Sequence, residues 1–165
     1  MRIAILTISD AGARGERADR SGDAIAEWAS KHRWVLAARA LVADETAAIV
    51  PQLVAWCDGD LADLVLTTGG TGLSPRDVTP EATRAVLERE APGIAERLRA
   101  SAAENFPRAA LSRGLAGVRA RTLVVNLPGS PSGVTDGLAA LDPVVEHAVA
   151  IVRGSATDHE PGRPR

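Results

Sequence analysis

The sequence predicts a single three-layer α/β domain, in which helices flank a mostly parallel sheet. A length of 165 residues suits one domain with its own core. Short apolar runs alternate along the chain with segments of helical spacing, which is the order typical of a parallel α/β sheet. With 45% hydrophobic and 24% charged residues, the composition excludes a disordered or fibrous chain.

Four apolar runs predict the strands of this sheet. Their bounds are Arg2–Ile8, 34–43, Ala62–Thr68 and Thr122–Leu127. A hairpin or bend about Gly114 and Gly117 is predicted to lead into the last strand. We expect the domain to cover residues 1–153 and residues 154–165 to form a disordered tail, because that segment is polar and contains Pro and Gly.

Helices are predicted between the strands from apolar stripes and start signals. Ser21 is the predicted cap of the first helix, after a polar loop, and Pro51 is predicted in the first turn of the second. Thr79 is the predicted cap of a third helix that closes at Pro92, where the next one opens. Pro143 predicts a kink or a break in the last helix.

Charge and cysteine content exclude several classes of function. A net charge of −2 provides no attraction to nucleic acid. No apolar run approaches the ~20 residues of a membrane span, and the N-terminus lacks a signal-peptide pattern. We therefore expect a cytoplasmic protein without nucleic-acid or membrane partners. Cys57 is expected in the core, and His32, His147 and His159 are expected as ordinary helix or surface residues.

The chain is poor in aromatic residues, with three Trp, one Phe and no Tyr. Nearly all of the core must therefore be built from Ala, Val, Leu and Ile. The Trp residues fall on predicted helices or at the start of the second strand, away from the glycine loops, and Phe106 is the single Phe. We expect no aromatic sandwich around a ring ligand, and recognition by backbone N–H groups, small hydroxyls and a metal instead.

A glycine loop, residues 68–77, follows the third predicted strand and reads TGGTGLSPRD. Glycines let the backbone approach a ligand and turn its N–H groups toward an anion. The spacing matches neither a Walker A loop nor a dinucleotide fingerprint. The alternative interpretation is a tight strand-to-helix turn. The paired charges of Arg76 and Asp77 speak against it, because a plain turn does not require them.

Two carboxylates follow strands that are predicted to be parallel. Asp44 ends the second strand and Asp77 follows the glycine loop. Because parallel strands end at the same edge of a sheet, these carboxylates would converge on one Mg²⁺, the usual partner of a polyphosphate. The alternative for Asp44 is helix capping or solvation.

A second Gly/Pro loop, residues 126–134, reads NLPGSPSGV and leads into the last helix. Ser130 and Ser132 lie at the helix start, where free backbone N–H groups favour anions. A capped strand-to-helix connection is the alternative for this loop alone. An arginine-rich segment (Arg14, Arg17 and Arg20) is either solvated or closes over an anionic ligand.

The motifs together resemble the MogA/MoaB family of molybdenum-cofactor biosynthesis proteins. The resemblance lies in residues 67–83 and 126–134, and in the matching order of 7–22 and 43–45, and it covers residues 2–152. The sequence looks more like MogA than MoaB. It departs from the family at Ala43, where Pro is frequent, and in the loop after Asp10, so substrate contacts are not carried over there.

The resemblance implies a molybdopterin adenylyltransferase, which transfers AMP from Mg-ATP to molybdopterin and releases pyrophosphate. It also implies a homotrimer that delivers its product to a MoeA-type molybdenum insertase. A MoaB-like protein that binds molybdopterin without adenylylating it, and a nucleotide pyrophosphatase, are the alternatives. Retention of both aspartates favours a working magnesium site.

The same resemblance implies a role for each motif residue. Asp44 and Asp77 are assigned to Mg²⁺ and to catalytic positioning. The predicted contacts to nucleotide and pterin come from the loop and helix-start residues Gly69, Gly70, Thr71, Gly72, Ser74, Arg76, Gly129, Ser130 and Ser132, with Ser9, Asp10 and Ser21 on the pterin side.

Overall fold

The computed structural model describes residues 1–104 and 106–155 and confirms the predicted α/β class. Within these residues the strands are β1 (Arg2–Ile8), β2 (Val35–Val42), β3 (Leu64–Thr68), β4 (Arg89–Glu90), β5 (Ala116–Arg119) and β6 (Thr122–Leu127). The helices are α1 (Asp10–Ala13), α2 (Arg20–Lys31), α3 (Thr46–Asp58), α4 (Thr79–Val86), α5 (Pro92–Ala103) and α6 (Pro131–Arg153), with a 3₁₀ helix over Pro107–Leu111.

The strands form one sheet in the order β2-β1-β3-β6-β5-β4. The first four strands in that order are parallel, and β5 and β4 extend the sheet in antiparallel pairs. β1, β3 and β6 are covered on both faces, which explains their near-continuous apolar sequences. Their carboxyl ends, with that of β2, lie at one edge of the sheet, called here the carboxyl edge. The opposite edge is called the amino edge.

Alternation along β1 divides the core into two layers. Ile3 and Ile5 are buried on the face covered by α2, α5 and α6. Ala4 and Leu6 are buried on the other face, against α3 and α4. Each fully buried Leu or Ile contributes about 1.5–3 kcal/mol to folding. The core therefore needs little aromatic material, as predicted from the composition. Cys57 is in this core, and burial raises the pKa of its thiol to about 11.

The start of α2 differs from the prediction. Asp19, not Ser21, is the N-cap, and its side chain accepts from the N–H of Gly22 at 2.8 Å. Ser21 is the second residue of the helix, is buried, and its hydroxyl donates to the carbonyl of Gly129 at 2.8 Å. Before it, the predicted polar loop contains the one-turn helix α1, which Ser9 caps.

Two prolines lie inside helices where the sequence predicted otherwise. Pro51 is in the second turn of α3, because the buried stripe starts at Ile49 and the helix must begin before it. At Pro143 the sequence predicted a kink or a break, and the break is wrong, because α6 is continuous from Pro131 to Arg153. Proline crowds the carbonyls one turn earlier, and Arg97 Nε donates to one of them, that of Ala140, at 2.7 Å.

Three other predicted boundaries are wrong. Thr79 is the first residue of α4 rather than its cap, because its hydroxyl is bonded to the glycine loop. α4 ends at Val86, and β4 intervenes before α5 opens at Pro92, as Glu88 and Ala91 bond to β5. The β5–β6 hairpin turns at Ala120, which has a φ of 50°, and not at the glycines.

The end of the described chain is a helix cap. Gly154, with a φ of 71°, ends α6, and its N–H donates to the carbonyl of Ile151. The rest of the predicted disordered tail, residues 156–165, lies outside the described residues and includes His159. Among the described helices, none combines the length and apolar character that crossing a membrane requires.

Candidate functional site

Two cavities open at the carboxyl edge. The smaller has a volume of about 360 Å³ and lies over the ends of β1 and β3, against the start of α2. The larger has a volume of about 790 Å³ and lies between the glycine loop, α5 and the start of α6. Gly70, Gly129 and Ser130 line both. The glycine loop and the β6–α6 loop therefore form a shared wall.

The glycine loop requires glycine at two consecutive positions. Gly69 and Gly70 have φ values of 103° and 62°, which L side chains rarely adopt. A side chain at Gly69 would collide with the carbonyl oxygen of Ile8, and one at Gly70 with the hydroxyl of Thr79. The backbone at this point thus approaches both β1 and α4 more closely than any other residue allows.

Four consecutive carbonyl groups of this loop accept hydrogen bonds from Thr79 and Arg113. The Thr79 hydroxyl donates to the carbonyl of Gly69 at 2.9 Å, and the Thr79 N–H to that of Gly70 at 3.1 Å. The N–H of Arg113 donates to the carbonyl of Thr71 at 2.8 Å, and its Nε to that of Gly72 at 2.8 Å.

These bonds determine where the loop's N–H groups point. In a planar trans peptide the N–H of one residue is antiparallel to the carbonyl of the residue before it. The N–H groups of Gly70, Thr71, Gly72 and Leu73 therefore face away from Thr79 and Arg113. None of the four donates to another of the described residues. A series of such N–H groups is an anion-binding nest.

An aspartate pair with one arginine stands beside the nest. The N–H of Asp10 donates to Asp44 Oδ2 at 2.7 Å, and the N–H of Asp44 donates to Asp10 Oδ1 at 3.0 Å. Arg76 donates to both carboxylate oxygens of Asp10 at 2.7–3.1 Å. This pairing ties the chain ends after β1 and β2 to the glycine loop.

The pKa values of the two aspartates of the pair are shifted in opposite directions. The Arg76 guanidinium lowers the pKa of Asp10. Burial raises the pKa of Asp44, and the negative charges of Asp10 and Asp77 add to this effect against the hydrogen bond from the Asp10 N–H. Asp44 is thus a half-buried carboxylate without an ion-pair partner among the described residues, although the charge of Arg76 partly offsets the rise in its pKa.

Asp77 lies at the other end of the glycine loop. Its Oδ2 accepts from the N–H of Ser74 at 2.8 Å and lies close to Gly72. Asp44 lines the smaller cavity and Asp77 the larger, so the two carboxylates flank the nest. Within the described part of the chain, no three His, Cys, Asp or Glu side chains are grouped closely enough to hold a metal ion by themselves.

The β6–α6 loop is fixed to its neighbours by hydroxyl groups. Thr68 Oγ1 donates to the carbonyl of Pro128 at 2.6 Å, and Ser21 Oγ holds that of Gly129. Ser130 Oγ caps α6 by accepting from the N–H of Gly133 at 3.1 Å. Ser130 thus has the capping role that was the alternative to ligand binding, although it also lines both cavities.

The smaller cavity has a basic side. Arg17 and Arg20 line it, and neither has an ion-pair partner among the described residues. Arg14, by contrast, pairs with Glu16. Asp19 lies in the same wall. Its burial opposes ionisation, but hydrogen bonds from Arg39, the Gly22 N–H and the Thr7 hydroxyl outweigh it and lower the pKa. Because Asp19 is already paired with Arg39, it does not neutralise Arg17 or Arg20, and these two arginines are available to bind an anion.

The larger cavity has an apolar side that the sequence analysis did not assign. Phe106 lines it, with 54% of its surface exposed, beside small residues of α5 and the 3₁₀ helix such as Ala102 and Ala109. A single aromatic ring cannot enclose a ligand from both sides, which agrees with the expectation that no aromatic sandwich surrounds a ring ligand. A single flat wall for a ring ligand is nevertheless present, and the only sequence signal for it was the isolation of this Phe.

The structure brings most of the predicted residues to the cavities. The smaller is lined by Ser9, Ser21, Asp44, Gly69, Gly70, Gly129 and Ser130. The larger is lined by Gly70, Thr71, Gly72, Asp77, Gly129, Ser130 and Ser132. Asp10, Ser74 and Arg76 line neither cavity. Asp10 and Arg76 neutralise one another instead.

The three Trp residues also lie away from both cavities, as expected. His32 is a surface residue that stacks on Trp34 and pairs with Asp142 at 2.9 Å. Arg113 and Thr79, which hold the loop, were not singled out as site residues. Their contacts join positions as far as 42 residues apart, and no sequence spacing indicates such a pairing.

A parallel α/β domain with an anion-binding nest and two carboxylates at its carboxyl edge defines a protein that binds phosphate-bearing ligands. Comparison with known proteins agrees. A family described as "Probable molybdopterin binding domain" matches residues 4–147. The chain therefore belongs to this molybdopterin-binding family, which includes MogA and MoaB proteins.

Relatives with a named activity are similar over most of their length. The chain is 38% identical to the molybdopterin adenylyltransferase of Helicobacter pylori J99, over 94% of this chain and 89% of the relative. It is 40% identical to that of Escherichia coli K12, over 84% and 72%. The crystal structure of MoaB from Thermus thermophilus superposes with a TM-score of 0.88 at 52% identity, covering 93% of this chain and 96% of that one.

Proposed function

We propose that this protein is a molybdopterin adenylyltransferase, which transfers AMP from ATP to molybdopterin in molybdenum-cofactor biosynthesis. The observation that carries the proposal is the nest of four N–H groups between Asp44 and Asp77, none of which donates to another residue that the structure describes. Such a nest binds phosphate. The named adenylyltransferases to which the chain is 38–40% identical support the choice of reaction.

The two cavities fit two different substrates. The larger cavity offers the nest, Asp77 and the exposed ring of Phe106, and we assign it to ATP, with the adenine against Phe106. The smaller cavity offers Arg17, Arg20 and the hydroxyls of Ser9 and Ser21. We assign it to molybdopterin, whose anionic groups those arginines would neutralise. In this arrangement the phosphates of ATP and the phosphate of molybdopterin would meet at the shared wall formed by Gly70, Gly129 and Ser130.

The donor set fits Mg²⁺. Mg²⁺ is commonly bound by one or two protein carboxylates together with substrate phosphates and water, which matches two aspartates without a third protein ligand. Asp44 and Asp77 would hold the ion. When bound, Mg²⁺ supplies positive charge that offsets the negative charge of the phosphates.

The reaction needs no nucleophile from the protein. An oxygen of the molybdopterin phosphate attacks the α-phosphorus of ATP, the bond between the α-phosphorus and the bridging oxygen breaks, and pyrophosphate leaves with that electron pair. Catalysis of such a transfer rests on positioning and electrostatic stabilisation. The Gly70–Leu73 N–H groups would position the phosphates of ATP, and Arg17 and Arg20 the incoming anion.

The direct test is to combine purified protein with molybdopterin, ATP and MgCl₂ and to follow pyrophosphate and adenylyl-molybdopterin. Equal amounts of both products are expected. Omission of molybdopterin should abolish pyrophosphate release, because the pterin phosphate is the nucleophile. Pyrophosphate or phosphate released without molybdopterin would contradict an adenylyltransferase.

A second candidate is a protein that binds molybdopterin without adenylylating it. The 52% identity to a MoaB structure favours it. In that case molybdopterin would bind, and no pyrophosphate would form with ATP present. Retention of both Asp44 and Asp77 beside an open nest favours the transferase.

Three further parts of the proposal rest on the family resemblance. We place the protein in the cytoplasm, as a homotrimer that passes its product to a MoeA-type molybdenum insertase. Sedimentation analysis should give three times the 17.1 kDa mass of one chain. A monomer at micromolar concentration would contradict the trimer.

A further inference from the structure

Arg113 stands out because its main chain and its side chain together bond three carbonyls of the glycine loop. It follows the 3₁₀ helix, far from the loop in sequence. Besides the bonds to Thr71 and Gly72, its guanidinium donates to the carbonyl of Asp77 at 2.6 Å. It also pairs with the carboxylate of Glu81 in α4.

The guanidinium is suited to holding backbone rather than ligand. Its five N–H donors lie in a rigid fork, so that it bonds several acceptors in different directions at once. Three of its directions here are taken by main-chain carbonyls and a carboxylate. Its positive charge is balanced by Glu81. A ligand phosphate would therefore meet the N–H groups of the loop, and not Arg113 itself.

We propose that Arg113 is a positioning residue for ATP: its guanidinium holds the carbonyls of Gly72 and Asp77 and so turns the N–H group of Leu73 toward the phosphates. The main-chain N–H of Arg113 holds the carbonyl of Thr71 in the same way, and that bond does not depend on the side chain. Thr79 does the same for Gly70 and Thr71. The proposal rests on the proposed function in one respect only, the assignment of ATP to the larger cavity.

The variant that separates geometry from charge is Arg113→Lys. Lysine keeps the positive charge and its pairing with Glu81, but its single ammonium lacks the fork that reaches Gly72 and Asp77 together. If Arg113 acted on the phosphates by charge, lysine would be a good substitute. If it acts by holding the backbone, lysine fails.

Arg119→Lys is a matched control. Arg119 also joins a carboxylate, Asp58, to a main-chain carbonyl, that of Val86, at 2.7–2.9 Å. It lies at the amino edge, where β5 turns into β6. The control loses a comparable set of bonds without touching either cavity.

Steady-state kinetics with ATP and molybdopterin varied in turn gives the first measurement. Arg113→Lys is expected to raise KM for ATP by about 10-fold to 100-fold, since the charge-assisted hydrogen bond from the Leu73 N–H to phosphate is misdirected. KM for molybdopterin should stay within about 2-fold of the wild-type value, as the smaller cavity is unchanged. Arg119→Lys should leave both values unchanged.

Several outcomes would overturn the proposal. A fall in kcat with KM for ATP unchanged would mean only that less of the protein is folded. Wild-type kinetics for Arg113→Lys would assign the role to charge. An equal rise of KM for ATP in Arg119→Lys would show a general loss of stability. Urea unfolding of each variant measures that loss independently.

Calorimetric titration with Mg-ATP separates this proposal from the proposed function. If the wild type forms no adenylyl-molybdopterin, the transferase is wrong. Arg113→Lys should then still weaken ATP binding by at least about 10-fold relative to Arg119→Lys. Equal ATP affinity of the two variants, or no ATP binding by the wild type, would refute the role of Arg113.

Discussion

The two edges of the sheet both contain arginines and aspartates, but these groups are fully paired at the amino edge and incompletely paired at the carboxyl edge. At the amino edge, Arg2 and Arg153 pair with Asp60 and Asp63 around a cavity of about 660 Å³. Arg121 is bonded to the carbonyl of Arg153. Every one of these arginines therefore has a partner within the protein.

At the carboxyl edge the pairing is incomplete. Arg76 and Asp10 neutralise one another, but Arg17, Arg20 and the four N–H groups of the nest have no partner among the described residues. Asp44 is half-buried with a raised pKa. Both edges have a cavity and an arginine–aspartate network, so neither feature identifies a site. The difference is the unsatisfied donors, which a ligand must satisfy.

The strongest test of this contrast is Asp77→Asn. It removes one of the two carboxylates that flank the nest and leaves the side chain's size unchanged. We expect turnover to fall on the order of 1000-fold, as charge stabilisation in the transition state is lost. Asp58→Asn, which breaks an ion pair at the amino edge, should leave turnover unchanged. Near-wild-type activity of Asp77→Asn would refute the site assignment.

Gly70→Ala tests whether the nest depends on close packing. The new methyl group would collide with the Thr79 hydroxyl and stand 3.0 Å from Asp44 Oδ1. We expect kcat/KM for ATP to fall by about 100-fold. Gly15→Ala is the control, because Gly15 has a similar φ of 73° but nothing within 4 Å. It should cost about 1–2 kcal/mol of stability and keep full activity.

Phe106→Ala tests the apolar wall of the larger cavity. Stacking of a base on an aromatic ring is worth about 1–3 kcal/mol, so KM for ATP should rise by about 10-fold with kcat unchanged. Since Phe106 is half-exposed, its loss should hardly change the urea midpoint. Ile151→Ala removes a side chain of similar exposure on α6 and should alter neither value. An unchanged KM in Phe106→Ala would place the adenine elsewhere.

The smallest effect on activity is expected at the amino edge. Burial alone would raise the pKa of Asp63, but hydrogen bonds and charge from Arg2 outweigh it and lower the pKa. Its stabilisation is therefore present above the ordinary value of 3.8 and is lost as the pH falls below it.

Asp63→Asn checks this assignment by urea unfolding across pH. At pH 7 the variant should be less stable by about 2 kcal/mol, with activity unchanged. The difference from the wild type should shrink below pH 4. A difference that is independent of pH would show that the carboxylate's charge contributes nothing.

Sequence patterns predicted the parts of the molecule that depend on local composition. The apolar runs of β1, β3 and β6 and the loops that follow them were identified, because parallel strands buried on both faces are continuous in hydrophobicity. Both glycine-containing loops were placed at the correct edge. Since that edge collects the carboxyl ends of β1, β2, β3 and β6, most of the polar residues predicted there line one cavity or the other.

Residues with dual roles were beyond such patterns. Ser21 and Thr79 are residue types that favour helix caps. In the structure, however, the Ser21 hydroxyl is bonded to Gly129 and the Thr79 hydroxyl to Gly69, and each residue lies inside its helix. Arg113 has no local signal at all, because its partners come from a loop and a helix 32–42 residues earlier. The polar residues of the site can thus be predicted from the sequence, whereas the hydrogen bonds that hold its loops in place depend on the tertiary structure.

Amide NMR shows residue by residue whether the nest binds the phosphates of ATP. The protein would be labelled with ¹⁵N and titrated with Mg-ATP. We expect the amide signals of Gly70, Thr71, Gly72 and Leu73 to shift more than any others, and those of Asp60 and Asp63 to stay in place. Shifts confined to the amino edge, or no shift in the four loop amides at saturating ATP, would contradict ATP binding by the nest.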